Sequence, residues 1–171
     1  VEDTLIRFRM KDCKPINTPL DGNKKMKLPK ADEELSENYP YQNLIGCLMY
    51  FAVSTRPDIA YAVSALSQFN VRHGMEYWNA AKRVLRYLKS TSNYGLTFKK
   101  TGEDLVGYVD ADWAGCPDDR RSYTGYAFIF GNAAVSWEAK KQRTVALSST
   151  ESEYIAMTES AKEAIYLQNL L

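Results

Sequence analysis

Histidine occurs once in the 171 residues, at His73, and cysteine three times, at Cys13, Cys47 and Cys116. An odd number of cysteines with no CxxC pair excludes a disulfide framework and a cysteine–histidine zinc site, and fits a reducing compartment. No secretory signal opens the sequence, and its longest apolar run, Leu44 to Val53, is about half of what a bilayer span needs. An intracellular protein with no membrane partner is the expectation. Charge of one sign is also missing overall, since 22 Lys+Arg face 21 Asp+Glu. That balance hides an asymmetry: residues 1–100 hold 16 Lys+Arg against 10 Asp+Glu, and residues 101–171 hold 6 against 11. A basic first part is compatible with phosphate binding, and an acidic second part suits a cation site. Solvated faces would explain the same split.

With 45% hydrophobic residues the sequence has enough apolar material for one ordinary folded domain or two small ones. Residues 1–10 read as the end of a helix with Leu5, Ile6 and Phe8 inward. From Lys11 to Pro40 the pattern dissolves into prolines, an Asp21-Gly22 turn and lysines at 24, 25 and 27, which is the signature of an extended connector. Three helical segments follow. The first, about Tyr41 to Val53, carries Leu44, Ile45, Leu48, Met49 and Ala52 at helical spacing. Ser54 or Thr55 would cap the second, with Pro57 in its first turn and Ile59, Ala62, Val63, Leu66 and Phe69 inward. The third, about Glu76 to Lys89, sets Trp78, Ala81, Val84, Leu85 and Leu88 against a basic face of Lys82, Arg83, Arg86 and Lys89. That basic face is the surface to test for nucleic-acid contact.

After Asn93 the period changes from 3.6 to 2. Strands are expected over Tyr94–Phe98, Leu105–Asp112, Tyr123–Gly131 and Ala133–Ala139, with a bend at Gly131-Asn132. Lys140-Lys141-Gln142-Arg143 reads as a basic loop. A closing helix from about Ser149 to Leu171 opens on Ser148 and Glu151, the spacing of a capping box. Tyr154, Met157, Ala161, Ile165 and Leu167 are its candidate buried stripe. The fold class is therefore α+β, with helices first and then an antiparallel three-stranded sheet carrying one helix.

Asp110 and Asp112 close an apolar strand and, two apart, share a face. Paired carboxylates at such a position need a divalent metal or a paired Arg or Lys beside them. A partner acid is available one turn into the last helix, at Glu153, whereas Glu151 is accounted for by the cap and helix dipole. A strand acid and a helix acid can share a hard cation such as Mg²⁺, held by carboxylate oxygens, water and substrate phosphate.

The run Gly107-Tyr-Val-Asp-Ala-Asp-Trp-Ala-Gly115 resembles the first strand of the ribonuclease H domain in copia-like retrotransposon Pol polyproteins. So do Asp119-Arg-Arg-Ser122 with Gly125-Tyr126, Ser136-Trp137 through Lys140-Lys141-Gln142, and Leu147-Ser-Ser-Thr-Glu-Ser-Glu-Tyr-Ile-Ala156. Upstream, Met10-Lys11 through Thr18-Pro19-Leu20, Tyr41 through Gly46, Leu48-Met49-Tyr50, Thr55-Arg-Pro-Asp-Ile-Ala-Tyr-Ala62 and Arg83 through Leu88 are similar to the tail of the reverse transcriptase in the same polyprotein. The resemblance implies two domains. Residues 1–92 would be the reverse transcriptase tail and connection, with an extended connector at 11–40 and helices at about 41–90. Residues 93–171 would be a ribonuclease H-like domain truncated after its first helix.

In that family the nuclease cuts the RNA strand of an RNA–DNA hybrid with Mg²⁺, or Mn²⁺, on four carboxylates. By motif Asp110 is the strand acid, Glu153 the helix acid and Asp112 an auxiliary one. Arg120, Arg121, Lys140, Lys141 and Ser149 are the implied contacts to the hybrid backbone. The third and fourth acids, and the polymerase's paired aspartates, have no counterparts in these residues; Tyr108-Val-Asp-Ala111 departs from the latter at Ala111. The reading is a Pol fragment, inactive alone, with the rest of Pol and the hybrid as partners, in the cytoplasm within virus-like particles and in the nucleus. The alternative is a non-catalytic relic or a domesticated binding module. A strand left with an unpaired apolar edge is expected to self-associate.

Overall fold

Apolar residues three and four apart between Tyr41 and Ser90 fold as helices because that spacing gathers them on one side. The computed structural model describes residues 1–22, 27 and 39–171. It divides into two units, Val1–Gly95 and Leu96–Leu171. Among the described residues no helix is long and apolar enough to cross a membrane.

The first unit contains α1 (Glu2–Arg7), α2 (Tyr41–Ser54), α3 (Ala60–Ser67) and α4 (Met75–Ser90), with a 3₁₀ turn at Pro57–Ile59 leading into α3. Its core joins Leu44, Ile45 and Leu48 of α2, Val63 and Leu66 of α3, and Val84, Leu85 and Leu88 of α4. Leu5 is buried, but Ile6 is 51% exposed, so α1 is inward on one side only. Met49 also turns outward. Pro57 occupies the first turn as its fixed φ favours, yet no side chain caps it: Arg56, not Ser54 or Thr55, stands at the cap position. Arg56 is instead a buried tie. Its guanidinium grips Asp58 at 2.9 and 2.7 Å and reaches the Thr91 carbonyl at 3.1 Å, and Tyr87 donates to the same aspartate at 2.7 Å. Residues 11–22 contain neither helix nor strand, as the prolines require. Of the lysine cluster only Lys27 is described, where its carbonyl accepts from the Tyr77 hydroxyl; positions 24 and 25 lie outside the described residues.

In the second unit β1 (Val106–Asp112), β2 (Tyr123–Phe130) and β3 (Ala133–Lys141) form one antiparallel sheet in that order, with α5 (Ser149–Leu170) packed on β1 and β2. Gly131 and Asn132 both hold positive φ, 58° and 67°, the pair a tight hairpin turn demands. Register pairs Gly107 with Phe128, and a Cβ at 107 would stand 2.5 Å from the Phe128 ring. The missing side chain is thus what lets that ring lie over the strand.

Three sequence expectations are corrected here. Tyr94–Phe98 is not a strand: near it the backbone bonds are a turn, Tyr94 to Thr91, and one bridge from Lys99 to Gly131 at 2.8 Å. A single bridge does not make a ladder. Next, β1 has the unpaired edge expected of it, but its residues are exposed where an apolar strand reads as buried; Tyr108 is 64% exposed. Finally, α5 buries Ser152, Ala156, Ser160 and Leu167, while Tyr154, Met157, Ala161 and Ile165 are exposed. Small side chains let the helix axis come close to the sheet, and close approach outcompetes the larger stripe for the inner face.

Candidate metal and nucleic-acid site

Alternation along β1 sorts its residues into two rows. Gly107 and Val109 line an apolar cleft with Phe128, Met157, Ser160 and Ala161, so that row faces α5. Tyr108, Asp110 and Asp112 belong to the other row. Register then sets Asp110 beside Gly125 and Ala139, and Asp112 beside Tyr123 and Lys141.

The start of α5 is fastened to the same end of the sheet. Gln142, 5% exposed, donates from Nε2 to Thr124 Oγ1 at 3.1 Å and to the Ser152 carbonyl at 2.9 Å. Because a carbonyl only accepts, the second bond fixes the amide's orientation and leaves Oε1 buried without a partner. Thr124 pairs with Ala111, so the level of Ser152 is the level of the β1 terminus. Glu153 follows directly, four residues before Met157 on the flank of α5 that lies along β1.

The four acids here divide by what already holds them. Glu151 accepts from the Leu147 amide at 2.7 Å, and its own amide donates to Ser148 Oγ at 3.1 Å. The Ser148 half of a capping box is present, and the Glu151 carboxylate closes the other side one residue earlier, on Leu147 instead of Ser148. Asp112 accepts from the Tyr123 amide and lies so close to Gly115 that a Cβ there would fall 1.7 Å from Oδ2. It shapes the turn after β1. Among the described residues the Asp110 carboxylate takes only the neighbouring Ala111 amide, at 2.9 Å. Glu153 makes no side-chain hydrogen bond or ion pair among the described residues. Asp110 and Glu153 share the end of the unit but not a face of the sheet. Among the described residues no three Asp, Glu, His or Cys side chains converge on a metal position.

The basic residues also separate. Lys141 bonds Asp119 at 2.8 Å and lies 3.0 Å from Cys116 Sγ, and Arg121 approaches the same aspartate at 3.6 Å. Partial burial works against ionisation of Asp119, but the bonds from Lys141 and Cys116 outweigh it and hold its carboxyl down at about 2. Lys140 stands 3.7 Å from Glu138. Arg120 is exposed, at a positive φ of 59°. Ser149 is exposed in the first turn of α5. Arg121 and Lys141 therefore brace the turn, while Arg120, Lys140 and Ser149 are open to solvent or nearly so.

Sequence reasoning missed Gln142 as the tie between sheet and helix, and Ser122, fully buried, whose Oγ accepts from the Ala114 amide at 3.0 Å. It also passed over Trp113, half exposed, with its indole N–H on the Ala146 carbonyl at 3.2 Å. A buried-polar role leaves no periodic signal, so nothing in the pattern marked the first two.

Comparison with known proteins bears on the whole chain. It is 46% identical over 176 residues to the retrovirus-related Pol polyprotein from transposon TNT 1-94 of Nicotiana tabacum, covering 100% of this chain. It is 41% identical over 170 residues to the Pol polyprotein from transposon RE2 of Arabidopsis thaliana, covering 99%. The chain belongs to the copia-like retrotransposon Pol polyprotein family. It spans 13% of the TNT 1-94 polyprotein and 12% of the RE2 polyprotein. A third relative of this Pol segment, 54% identical over 132 residues, is a Plasmopara viticola protein named secreted RxLR effector protein 161, of which the match covers 93%. No family model matches, and no solved structure does.

Proposed function

We propose that residues 96–171 are the opening part of a ribonuclease H domain, and that residues 1–95 are the tail of the reverse transcriptase that precedes it in Pol. The observation that carries this reading is the division of the acids: of four carboxylates at the β1–α5 end, Asp110 and Glu153 are the two that the fold leaves uncommitted. Carboxylate oxygens suit a hard divalent cation such as Mg²⁺ or Mn²⁺. The donor set is nevertheless partial, because two acids from different faces do not make a two-ion centre, and no catalytic step is derived from it. The substrate of the complete domain would be the RNA strand of an RNA–DNA hybrid, with Arg120, Lys140 and Ser149 against its backbone.

This chain alone is expected to be inactive. Phosphodiester hydrolysis by two metals needs both ions placed on the attacking and leaving oxygens. The test is a labelled RNA–DNA hybrid incubated with the purified chain and Mg²⁺ or Mn²⁺. No cleavage above background is expected; cleavage that disappears in Asp110→Asn would overturn the half-site reading.

A non-catalytic module is the second reading, favoured by the 93% coverage of a relative named as a secreted effector. It predicts that Asp110→Asn and Glu153→Gln leave every measurable property of the chain unchanged, cation binding included.

A further inference from the structure

Cys116 is buried, 4% exposed, yet the groups its sulfur meets are charged. Lys141 Nζ stands 3.0 Å from Sγ and 2.8 Å from Asp119 Oδ2, so one ammonium lies between a thiol and a carboxylate. The thiol also bonds to Asp119, which closes the three side chains into a ring. A buried cysteine ordinarily serves as a small apolar filler. This one does not. Backbone bonds hold both sides of the ring. The turn that follows β1 closes through the Arg120 amide on the Cys116 carbonyl at 3.0 Å and the Cys116 amide on the Arg121 carbonyl at 3.1 Å. Lys141, 25 positions on, ends β3 opposite Tyr123, and the next amide, of Gln142, donates to the Ser122 carbonyl at 2.8 Å.

Neither of the other cysteines has such a neighbour among the described residues. Cys47 Sγ faces the Arg7 guanidinium at 3.7 Å, a delocalised cation that is no nucleophile. At Cys13 it is the backbone carbonyl, not the sulfur, that takes a lysine. The ring at Cys116 is also reachable from one side, because the side chains of Lys141 and Asp119 are 21% and 38% exposed. A water-sized oxidant can approach along them. Sulfur and nitrogen are then in hydrogen-bond contact already, and only side-chain rotation is needed to join them.

We propose that Cys116 and Lys141 form an oxidation-sensitive pair, which hydrogen peroxide converts into a covalent sulfur–nitrogen link that staples the turn after β1 to the end of β3. Peroxide first oxidises the thiol by two electrons, giving the sulfenic acid and one water. Lys141 Nζ then attacks the sulfur. The S–N bond forms as the S–O bond breaks, and the oxygen leaves as water with one ammonium proton. A second proton passes to solvent by way of the Asp119 carboxylate, and the oxidation state of the sulfur does not change. Sulfenic acids condense with thiols and with backbone nitrogen in the same manner. Two molecules of a small thiol reverse the link, restoring thiol and amine and becoming a disulfide themselves. The staple uses neither Asp110 nor Glu153, so it stands or falls apart from the nuclease reading.

The test uses the whole chain carrying Cys13→Ser/Cys47→Ser, which leaves Cys116 as its one thiol and removes any disulfide within the chain. After treatment with hydrogen peroxide and proteolysis, mass spectrometry should find the peptides of Cys116 and Lys141 joined, about 2 Da lighter than their sum. Dithiothreitol should separate them. The urea midpoint of the linked chain should move up and return after reduction. Lys141→Arg keeps a cation beside Asp119 but offers no amine, so Cys116 should stop at a dimedone-reactive sulfenic acid or go on to the sulfinic acid, with no link. The proposal is overturned if the peroxide-treated chain, native by circular dichroism before treatment, holds Cys116 unmodified or as sulfinic acid. A link to a different lysine, or one formed only between two chains, overturns it too.

Discussion

The Leu147 amide donates to Glu151 Oε2 at 2.7 Å, and this bond decides which acid of the Glu-Ser-Glu run is free. Glu151 closes the helix start; Glu153, two residues on and about 200° around the axis, does not. Removing the cap should therefore lower stability without touching the proposed cation ligands Asp110 and Glu153. Ser148→Ala is expected to cost about 1 kcal/mol in urea denaturation, and Glu151→Gln less, with Mn²⁺ binding at the parent level in both. A loss of Mn²⁺ binding in Glu151→Gln would move the helix acid from position 153 to 151.

Gly115→Ala tests the packing of the turn that follows β1. The new Cβ would overlap Asp112 Oδ2 at 1.7 Å, so the carboxylate must leave and release the Tyr123 amide. A loss of about 1–3 kcal/mol is expected, the range for a buried donor left unpaired. Asp112→Ala in the same chain removes the clash. The double variant should therefore be no less stable than Asp112→Ala alone, and additive losses would refute the steric account.

Acid should loosen the turn in a defined window. Asp119 is held down at about 2, from an ordinary 3.8, chiefly by bonds from Lys141 and Cys116 that exceed its burial penalty. A depressed carboxyl contributes stability that is fully present above its unfolded pKa and lost as pH falls through the folded one. The contribution should fade between about pH 4 and pH 2. Lys141→Gln should flatten that part of the stability–pH curve, and an unchanged curve would mean that the ion pair does not hold in solution.

Edge exposure of β1 predicts self-association. Its free backbone groups and the exposed Val106 and Tyr108 form a flat, apolar margin. Light scattering should show mass rising with concentration, and Tyr108→Lys should abolish the rise. A parent chain that stays monomeric at high concentration would contradict this.

Much of the architecture was legible before any coordinates. Helical spacing marked Leu44, Leu48, Val63, Leu85 and Leu88 as core, the Gly131-Asn132 dipeptide marked the hairpin, and Ser148 with Glu151 marked the start of α5. Two failures share one cause, that hydrophobicity alone does not say which face is inner. In α5 the small residues Ser152, Ala156 and Ser160 win the sheet side because they permit closer approach. In β1 an apolar sequence reads as buried, although Val106, Tyr108 and Val109 are exposed. At the candidate site, motif likeness singled out Asp110 and Glu153. Alternation shows what no motif could: the row that carries Asp110 faces away from α5, which carries Glu153.

Paramagnetic broadening by Mn²⁺ in the amide spectrum of the whole chain tests most directly the proposal that Asp110 and Glu153 take up a common cation. With Mn²⁺ at millimolar concentration, the signals of Asp110, Ala111 and Glu153 should broaden first and together, and either Asp110→Asn or Glu153→Gln should abolish the effect at both places. Broadening centred on Asp118 and Asp119, or at Asp110 with Glu153 untouched, would show that the two carboxylates do not share a cation.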